Sequence, residues 1–143
     1  MKQKNITLQV GVKALIVNPN GEILIIKRNP HKYKEIKQLW DMPGGRIAPG
    51  ESLISNLERE VEEETNLNLL TKTVTLVAAQ DIILEDKHVV RITYLANTTG
   101  EIKLDTAENT DYMWVSEETA LKMANLDPYL KEILRNRTVL RFA

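Results

Sequence analysis

Cysteine is absent from this 143-residue chain, which excludes disulfide bonds and thiolate metal sites. No charge sign is in large excess, because 19 Lys and Arg residues nearly balance 20 Asp and Glu residues. This balance argues against binding to bulk nucleic acid or to a membrane surface. The chain also lacks an apolar run long enough to span a membrane, and residues 1–7 lack the apolar core of a signal peptide. We therefore expect a cytoplasmic protein, and a small phosphorylated ligand remains a compatible partner.

Repeats, low-complexity tracts and linkers are missing too, so a single domain over residues 1–143 is predicted. Residues 8–17 alternate loosely between apolar and other side chains, which predicts a strand. Asn20-Gly21 lies between apolar runs and predicts a hairpin turn, with residues 22–28 as the return strand. Residues 29–38 are polar and basic and are expected to form a loop.

The second half of the chain combines β-rich stretches with helix-capping residues. Ser116 is a candidate N-cap followed by two acidic residues, and Asp127-Pro128 predicts the start of a last helix. The expected architecture is a mixed sheet between helices. The predicted strands are residues 71–84, 88–98 and 112–115, with turns at 85–87 and 99–100.

The stretch from Gly45 to Leu67 carries most of the functional information. It reads G-x5-E-x7-R-E-V-x-E-E-x-N-L and places Glu60, Glu63 and Glu64 within two turns of a helix predicted over about residues 51–65. Side chains three and four apart on a helix are neighbours, so these carboxylates repel one another unless a positive group lies between them. Mg²⁺ prefers oxygen ligands, so the pattern indicates metal-assisted phosphate chemistry.

Helical periodicity separates two classes of glutamate in this segment. Glu64 projects onto the apolar face of the helix, where a carboxylate is costly unless it is paired or binds a metal. Glu58 and Glu62 point away, toward water. The apolar face itself consists of Leu53, Ile54, Leu57 and Val61.

The same stretch resembles the signature of the Nudix hydrolases, G-x5-E-x7-R-E-U-x-E-E-x-G-U, where U is a bulky aliphatic residue. Asn66 is the one departure, since it stands where the family has glycine. That glycine would end the helix in a left-handed conformation, which asparagine tolerates next best. The matching residues are Gly45, Glu51, Arg59, Glu60, Val61, Glu63, Glu64 and Leu67.

The resemblance implies a fold and a set of roles for this site. The fold is an α/β/α sandwich with a mixed sheet between helices, and residues 112–116 resemble the family's late strand. Mg²⁺, or Mn²⁺, would be bound by Glu60, Glu63 and Glu64, one of which could double as the general base, with the Gly44 carbonyl as a further ligand. Gly45 belongs to the structural part of the motif. Glu51 and Arg59 are expected to form an ion pair that braces the loop against the helix.

Several residues outside the signature have two open interpretations. Glu108 lies where many family members place a loop carboxylate that binds metal or activates water, but it could be an ordinary surface glutamate. Asp105 and Asp111 are alternatives to it. Arg28 could contact a substrate phosphate or lie on the surface.

Aromatic and basic residues near the loop are equally open. Trp40 could stack on a nucleotide base, although packing beneath the loop is favoured. Lys32, Lys34 and Lys37 could form a lid over an anionic substrate, but a solvated loop is favoured. His31 and His88 have no partners at metal-ligand spacing.

We expect a Mg²⁺-dependent pyrophosphohydrolase that acts on a nucleoside diphosphate linked to another group, with nucleoside triphosphates favoured. Water would attack phosphorus and release a nucleoside monophosphate. Alternative substrates are ADP-ribose, dinucleoside polyphosphates and nucleotide sugars. A non-catalytic nucleotide-binding module is the alternative from another class.

Overall fold

The structure is a computed structural model in which residues 5–136 are described. Residues 1–4 and 137–143 lie outside this range. They include both ends of the predicted single domain and most of residues 1–7, the segment predicted to lack a signal peptide. The strands are β1 (Thr7–Ile16), β2 (Ile23–Arg28), β3 (Trp40–Asp41), β4 (Gly44–Arg46), β5 (Asn68–Leu69), β6 (Thr75–Ile83), β7 (Lys87–Ala96), β8 (Thr98–Thr99) and β9 (Asn109–Val115). The helices are α1 (Leu53–Thr65), α2 (Glu117–Leu121) and α3 (Pro128–Arg135), with a 3-10 turn at Thr71–Thr73.

Two sheets form the centre of the fold. The larger has the strand order β4-β1-β7-β6, in which β1 and β7 are parallel and the other neighbours are antiparallel. The smaller is antiparallel with the order β3-β2-β9. Strands β5 and β8 pair separately.

Alternation along β1 divides the core into two layers. Val12, Ala14 and Ile16 belong to the apolar cluster that α1 completes. Leu15 and Val17 belong to the opposite cluster, which α2 and α3 complete. Because both faces of the strand are buried, the expected sandwich of a mixed sheet between helices is confirmed.

The turn at Asn20-Gly21 is present, but it does not produce the predicted hairpin. Gly21 has φ 76° and donates its N–H to the Asn18 carbonyl at 3.0 Å. A single antiparallel bridge, between Val17 and Ile23, joins the two strands before they separate into different sheets. The hairpin prediction was therefore wrong beyond the turn, because β1 pairs with β7 and β4 instead.

Helix α1 is closed by polar caps at both ends. The Ser52 hydroxyl accepts the Ser55 N–H at 3.1 Å, so the helix begins two residues later than predicted. At the other end Asn66 adopts the left-handed conformation, with φ 66°, and its N–H donates to the Glu62 carbonyl. Asparagine thus takes the conformation expected of a glycine at this position.

The other boundaries differ from the predicted ones only locally. Ser116 and Asp127 cap α2 and α3 as expected. Strand β9 begins at Asn109, three residues before its predicted start, because it follows β2 along its length. Strands β3 and β4 were missed, since two- and three-residue strands carry no periodicity.

Candidate active site

A cleft of about 640 Å³ opens where β1, β4 and β7 of the larger sheet meet helix α1 and the loops at residues 29–38 and 105–109. Both acidic and basic side chains line it, and they come from segments far apart in sequence. Among the residues singled out from the sequence, those lining the cleft are Arg28, Gly44, Gly45, Glu60, Glu63, Glu64, Asp105 and Glu108.

Glu64 is the most deeply placed of the three helix glutamates. Its Oε2 accepts the backbone N–H of Gly44 at 3.1 Å, which fixes the carboxyl group at the edge of the sheet. Burial raises the pKa of Glu64 to about 7, against the opposing effects of the positive charge on Lys13 and of the Gly44 hydrogen bond. The position of Glu64 on the apolar face of the helix therefore makes its charged form costly, as the sequence pattern indicated.

Glu60 lies against the backbone of Gly45. A Cβ atom built on Gly45 would lie 2.7 Å from the Cδ and Oε2 atoms of Glu60, closer than real contacts allow. Burial raises the pKa of Glu60, and the negative charge of Glu63 raises it further, while Arg59 lowers it. Glycine at position 45 therefore makes room for this carboxylate.

Arg59 is the positive group that lies among the signature glutamates. Its guanidinium contacts Glu51 at 3.3 Å, Glu60 at 3.3 Å and Glu63 at 3.2 Å. The hydrogen bonds to Glu51 and Glu63 raise the pKa of Arg59. The expected ion pair with Glu51 is present. Arg59 also offsets part of the repulsion between the glutamates, which we had expected a metal ion to relieve.

The buried side chain of Asn56 ties the same loop to the helix. Its Oδ1 accepts the Ala48 N–H and an Nη2–H of Arg59, both at 3.0 Å, and its amide donates to the Arg46 carbonyl. We did not single out Asn56 from the sequence, because helical spacing places it outside the predicted apolar face of α1.

The carboxylate oxygens of Glu60, Glu63 and Glu64 suit a hard divalent cation, although the three side chains do not form a metal-binding cluster in this structure. Within residues 5–136, no three acidic or imidazole groups stand close enough together to hold a metal. The Glu63 carboxylate turns toward Arg59, and its side chain is 59% exposed. Glu60 and Glu64 line the cleft, and burial raises the pKa of both carboxyl groups.

Gly44 is held in a conformation that only glycine tolerates. Its φ is 149°, and a Cβ atom there would lie 2.0 Å from the Val12 carbonyl oxygen. The observed contact of Gly44 is its N–H donation to Glu64, whereas the role proposed from the sequence belongs to its carbonyl.

Glu108 joins two loops at the mouth of the cleft. Its carboxylate accepts hydrogen bonds from Lys32 and from the Tyr33 hydroxyl, and these lower its pKa. The Glu108 carbonyl also accepts the Asn29 N–H at 2.8 Å. The loop at residues 29–38 is therefore joined to the loop at 105–109, and Lys32 remains exposed, as in the solvated loop that we favoured.

The remaining lysines and the alternative aspartates divide between cleft and surface. Lys34 and Lys37 are exposed, as expected of a solvated loop. Asp105 lines the cleft, whereas Asp111 is exposed and accepts a hydrogen bond from Thr110.

Asp41 lies at the floor of the cleft and is 3% exposed. Its Oδ2 contacts Lys13 at 3.1 Å, Arg91 at 3.3 Å and Arg28 at 3.6 Å, while its Oδ1 accepts the Met42 N–H. Burial alone would raise the pKa of Asp41, but the three cations and the N–H outweigh it and lower the pKa. One buried carboxylate thus brings three basic side chains together in the cleft.

Arg28 takes part in this cluster, while Trp40 does not reach the cleft. Arg28 keeps 32% of its side chain exposed and lies over the Tyr33 ring, 5.4 Å from its centre. Trp40 is 8% exposed and packs in the core with Leu126 and Leu130. Of the two interpretations of Trp40, the structure therefore agrees with packing, and stacking on a base would require it to leave the core.

Sequence reasoning missed Lys13, Arg91 and Asp41. Lys13 and Arg91 interrupt apolar strands, and a charge in the middle of such a strand was the available signal. Nothing local marked Asp41 as their partner. The two histidines lie outside the cleft lining, and His88 contacts Asp81 at 2.7 Å.

Comparison with known proteins agrees with this arrangement. The sequence model of the NUDIX domain matches residues 7–136. The chain belongs to the NUDIX family. The MutT protein of Methanosarcina mazei Go1 has a similar structure, with a TM-score of 0.79 at 29% identity over 94% of this chain and 95% of that one. A MutT NUDIX hydrolase from Burkholderia pseudomallei gives a TM-score of 0.78 at 27% identity, over 92% of this chain and 99% of its own.

Curated relatives match over parts of their length. A Bacillus subtilis (strain 168) protein provisionally named an 8-oxo-dGTP diphosphatase is 31% identical over 106 residues, which is 74% of this chain and 65% of the relative. A mouse 8-oxo-dGDP phosphatase is 32% identical over 100 residues, or 70% of this chain and 28% of its own. In these two relatives the matched region is therefore less than two thirds of the protein. Among residues 5–136 of this NUDIX protein, no helix is long and apolar enough to cross a membrane.

Proposed function

We propose that this NUDIX protein is a Mg²⁺- or Mn²⁺-dependent hydrolase of the pyrophosphate link in a small nucleotide, with nucleoside triphosphates as the favoured substrates. One observation carries the proposal: Glu60 and Glu64 line a cleft together with the partly exposed guanidinium of Arg28. The names of the relatives, 8-oxo-dGTP diphosphatase and 8-oxo-dGDP phosphatase, support nucleoside phosphates and add oxidised guanine nucleotides as candidates.

Glu60, Glu63 and Glu64, with the Gly44 carbonyl, would hold the divalent cation. When bound, the cation supplies charge neutralisation on the phosphoryl oxygens and lowers the pKa of a bound water. The chain's contribution is to position oxygen donors on a rigid helix beside a glycine backbone. The Gly44 N–H holds the Glu64 carboxyl group in place before any substrate arrives.

The reaction requires one proton to be accepted when water attacks phosphorus. The phosphoanhydride P–O bond breaks, and a nucleoside triphosphate gives a nucleoside monophosphate and inorganic pyrophosphate. Glu64 is a suitable acceptor because its carboxyl group lines the cleft and is held there by the Gly44 N–H. Glu108 suits a different role, since its lowered pKa keeps it ionised as a ligand or a water-orienting group.

Arg28 would contact a phosphate oxygen of the substrate in the same cleft. Its guanidinium is only partly occupied by Asp41, at 3.6 Å, and part of its side chain remains exposed in the cleft. The forked geometry of arginine matches phosphate oxygens. Phosphate binding and proton transfer are thus assigned to different side chains of one cleft.

The test uses Glu63→Gln and Glu64→Gln, with Glu62→Gln as the matched control. Glu62 lies on the same helix but is exposed and does not line the cleft. Each variant is assayed with Mg²⁺ against nucleoside triphosphates, oxidised guanine nucleotides, ADP-ribose, dinucleoside polyphosphates and nucleotide sugars, and the products are identified. We expect kcat to fall by about a hundredfold or more in the two cleft variants and to be unchanged in the control.

Near-normal turnover by either cleft variant would count against the proposal. Tight nucleotide binding by the wild-type protein without any product, across the whole panel, would favour a non-catalytic nucleotide-binding module instead. Thermal melting of each variant separates loss of chemistry from loss of folding.

A further inference from the structure

One face of the larger sheet extends beyond the helix that covers it. Helix α1 packs against β1 and β4. The pairing of β6 with β7 places Leu76 beside Tyr94 and Ala79 beside Ile92. Tyr94 belongs to the apolar cluster that α1 completes, and Ile92 packs against that cluster. Paired residues point to the same side of a sheet, so these β6 side chains lie on the α1 side, at its outer edge.

Large apolar side chains on this part of the sheet are exposed to solvent. Leu76 is 61% exposed and Ile83 is 69% exposed, near opposite ends of β6. The strand register places Ile83, His88 and Leu8 in one row across three strands, and Leu8 is 65% exposed. Apolar patches of roughly a few hundred Å² on a folded protein mark interaction sites. This surface, the β6 face, consists of Leu8, Leu76, Ala79, Asp81, Ile83 and His88.

The β6 face is separate from the active-site cleft, although the same strands contribute to both. Ile82 and Val89 line the cleft. Successive side chains of a strand point to opposite faces, so Ile83 and His88 point away from the cleft. An occupant of the β6 face would therefore leave this part of the cleft open.

The charges on the β6 face allow it to pack against itself. Asp81 and His88 are the ionisable members of the set, and they contact each other at 2.7 Å. In a two-fold interface the same patch lies on both copies, so a face of one charge sign would repel its copy. One acidic and one basic side chain, already paired, carry no such repulsion.

The size of the β6 face sets the strength of such an interface. The nine residues of β6 span about 30 Å, and β6, β7 and the start of β1 form a strip about 10–15 Å wide. Two copies would bury roughly 600–900 Å² in total, below the range of about 1,200–2,000 Å² for stable complexes. The area therefore suits a weak, reversible dimer.

We propose that the β6 face packs against the β6 face of a second copy of this chain, in a weak two-fold dimer. Burial of the exposed leucine and isoleucine side chains drives the association. The inference does not depend on the proposed function, because it uses no residue that lines the cleft.

The experiment is sedimentation velocity on the wild-type protein and three variants, from about 1 µM to about 500 µM. Ile83→Lys and Leu76→Lys place a charge near either end of the β6 face, where both side chains are largely exposed in a single copy. Tyr112→Lys is the matched control, because Tyr112 is a 46% exposed strand residue of the smaller sheet. Thermal melting of each variant checks that it is folded.

We expect the wild-type protein to dimerise with a Kd of about 10–100 µM. Ile83→Lys and Leu76→Lys should each raise this Kd by about tenfold or more, because the two-fold axis brings two lysines into one apolar interface. Tyr112→Lys should dimerise like the wild-type protein.

Three results would overturn the inference. The first is wild-type protein that stays monomeric at the highest concentration. The second is dimerisation at wild-type strength in both folded lysine variants of the β6 face, which would place the interface on another surface. The third is a dimer that only Tyr112→Lys disrupts, which would assign the interface to the smaller sheet.

Discussion

The carboxylate of Glu60 occupies the space that a side chain at Gly45 would need. Replacing Gly45 with alanine would place a Cβ atom 2.7 Å from Oε2 of Glu60. Since the obstructing atoms are the end of a flexible side chain, the carboxylate should turn away while the backbone stays in place. We expect Gly45→Ala to lower kcat by about tenfold or more with little change in thermal stability. Wild-type kinetics in this variant, or loss of the folded state, would contradict the argument.

The pH dependence of stability should report the burial of Glu64. Its pKa is about 7 in the folded protein against an ordinary 4.5, so the folded state binds more protons than the unfolded state between these values. The free energy of unfolding therefore falls as pH rises through this window, by at most roughly 3 kcal/mol from this group. Denaturant unfolding in EDTA between pH 5 and pH 8 measures the slope.

Glu64→Gln should remove this contribution and flatten the curve, because glutamine does not ionise. Glu62→Gln, on the exposed face of the same helix, should keep the wild-type slope. Parallel curves for Glu64→Gln and the wild-type protein would show that Glu64 does not titrate in this range.

Asp41→Asn should be the most destabilising of these changes. It would leave Lys13 and Arg91 buried without their shared counter-charge, which costs about 3–5 kcal/mol in comparable buried pairs. Chemical denaturation measures the loss, and the exposed Asp86→Asn is the matched control. A loss of under about 1 kcal/mol would mean that the three cations do not depend on this carboxylate.

The pair Asn66→Gly and Asn66→Ala tests the end of helix α1. Both variants lose the hydrogen bond from the Asn66 side chain to the Glu101 carbonyl, so their difference isolates the backbone at φ 66°. Glycine adopts this conformation without strain, and we expect its variant to be more stable by about 1 kcal/mol. Equal melting temperatures would contradict this reasoning.

The sequence predicted those features that depend on local spacing. The helix glutamates, the caps at Ser116 and Asp127, and the left-handed Asn66 all follow from residue types at short range. The resemblance to the Nudix signature predicted the sandwich fold.

Features that depend on tertiary contacts were not predictable in this way. Lys13, Asp41 and Arg91 come from three separate strands, and no local pattern relates them. The role of Arg59 as a counter-charge to Glu63 was open for the same reason, since helical spacing gives the proximity of side chains but not their orientation.

The parallel pairing of β1 with β7 has a consequence for folding of the chain during its synthesis on the ribosome. Thr7 lies beside Lys87 and Ile16 beside Ala96, so the first strand has no partner along most of its length until the seventh has been synthesised. Such distant pairing slows folding, and an apolar segment that waits for its neighbour is prone to self-association. Nascent chains halted before residue 87 should therefore depend on chaperones, whereas chains halted well beyond Ala96 should not.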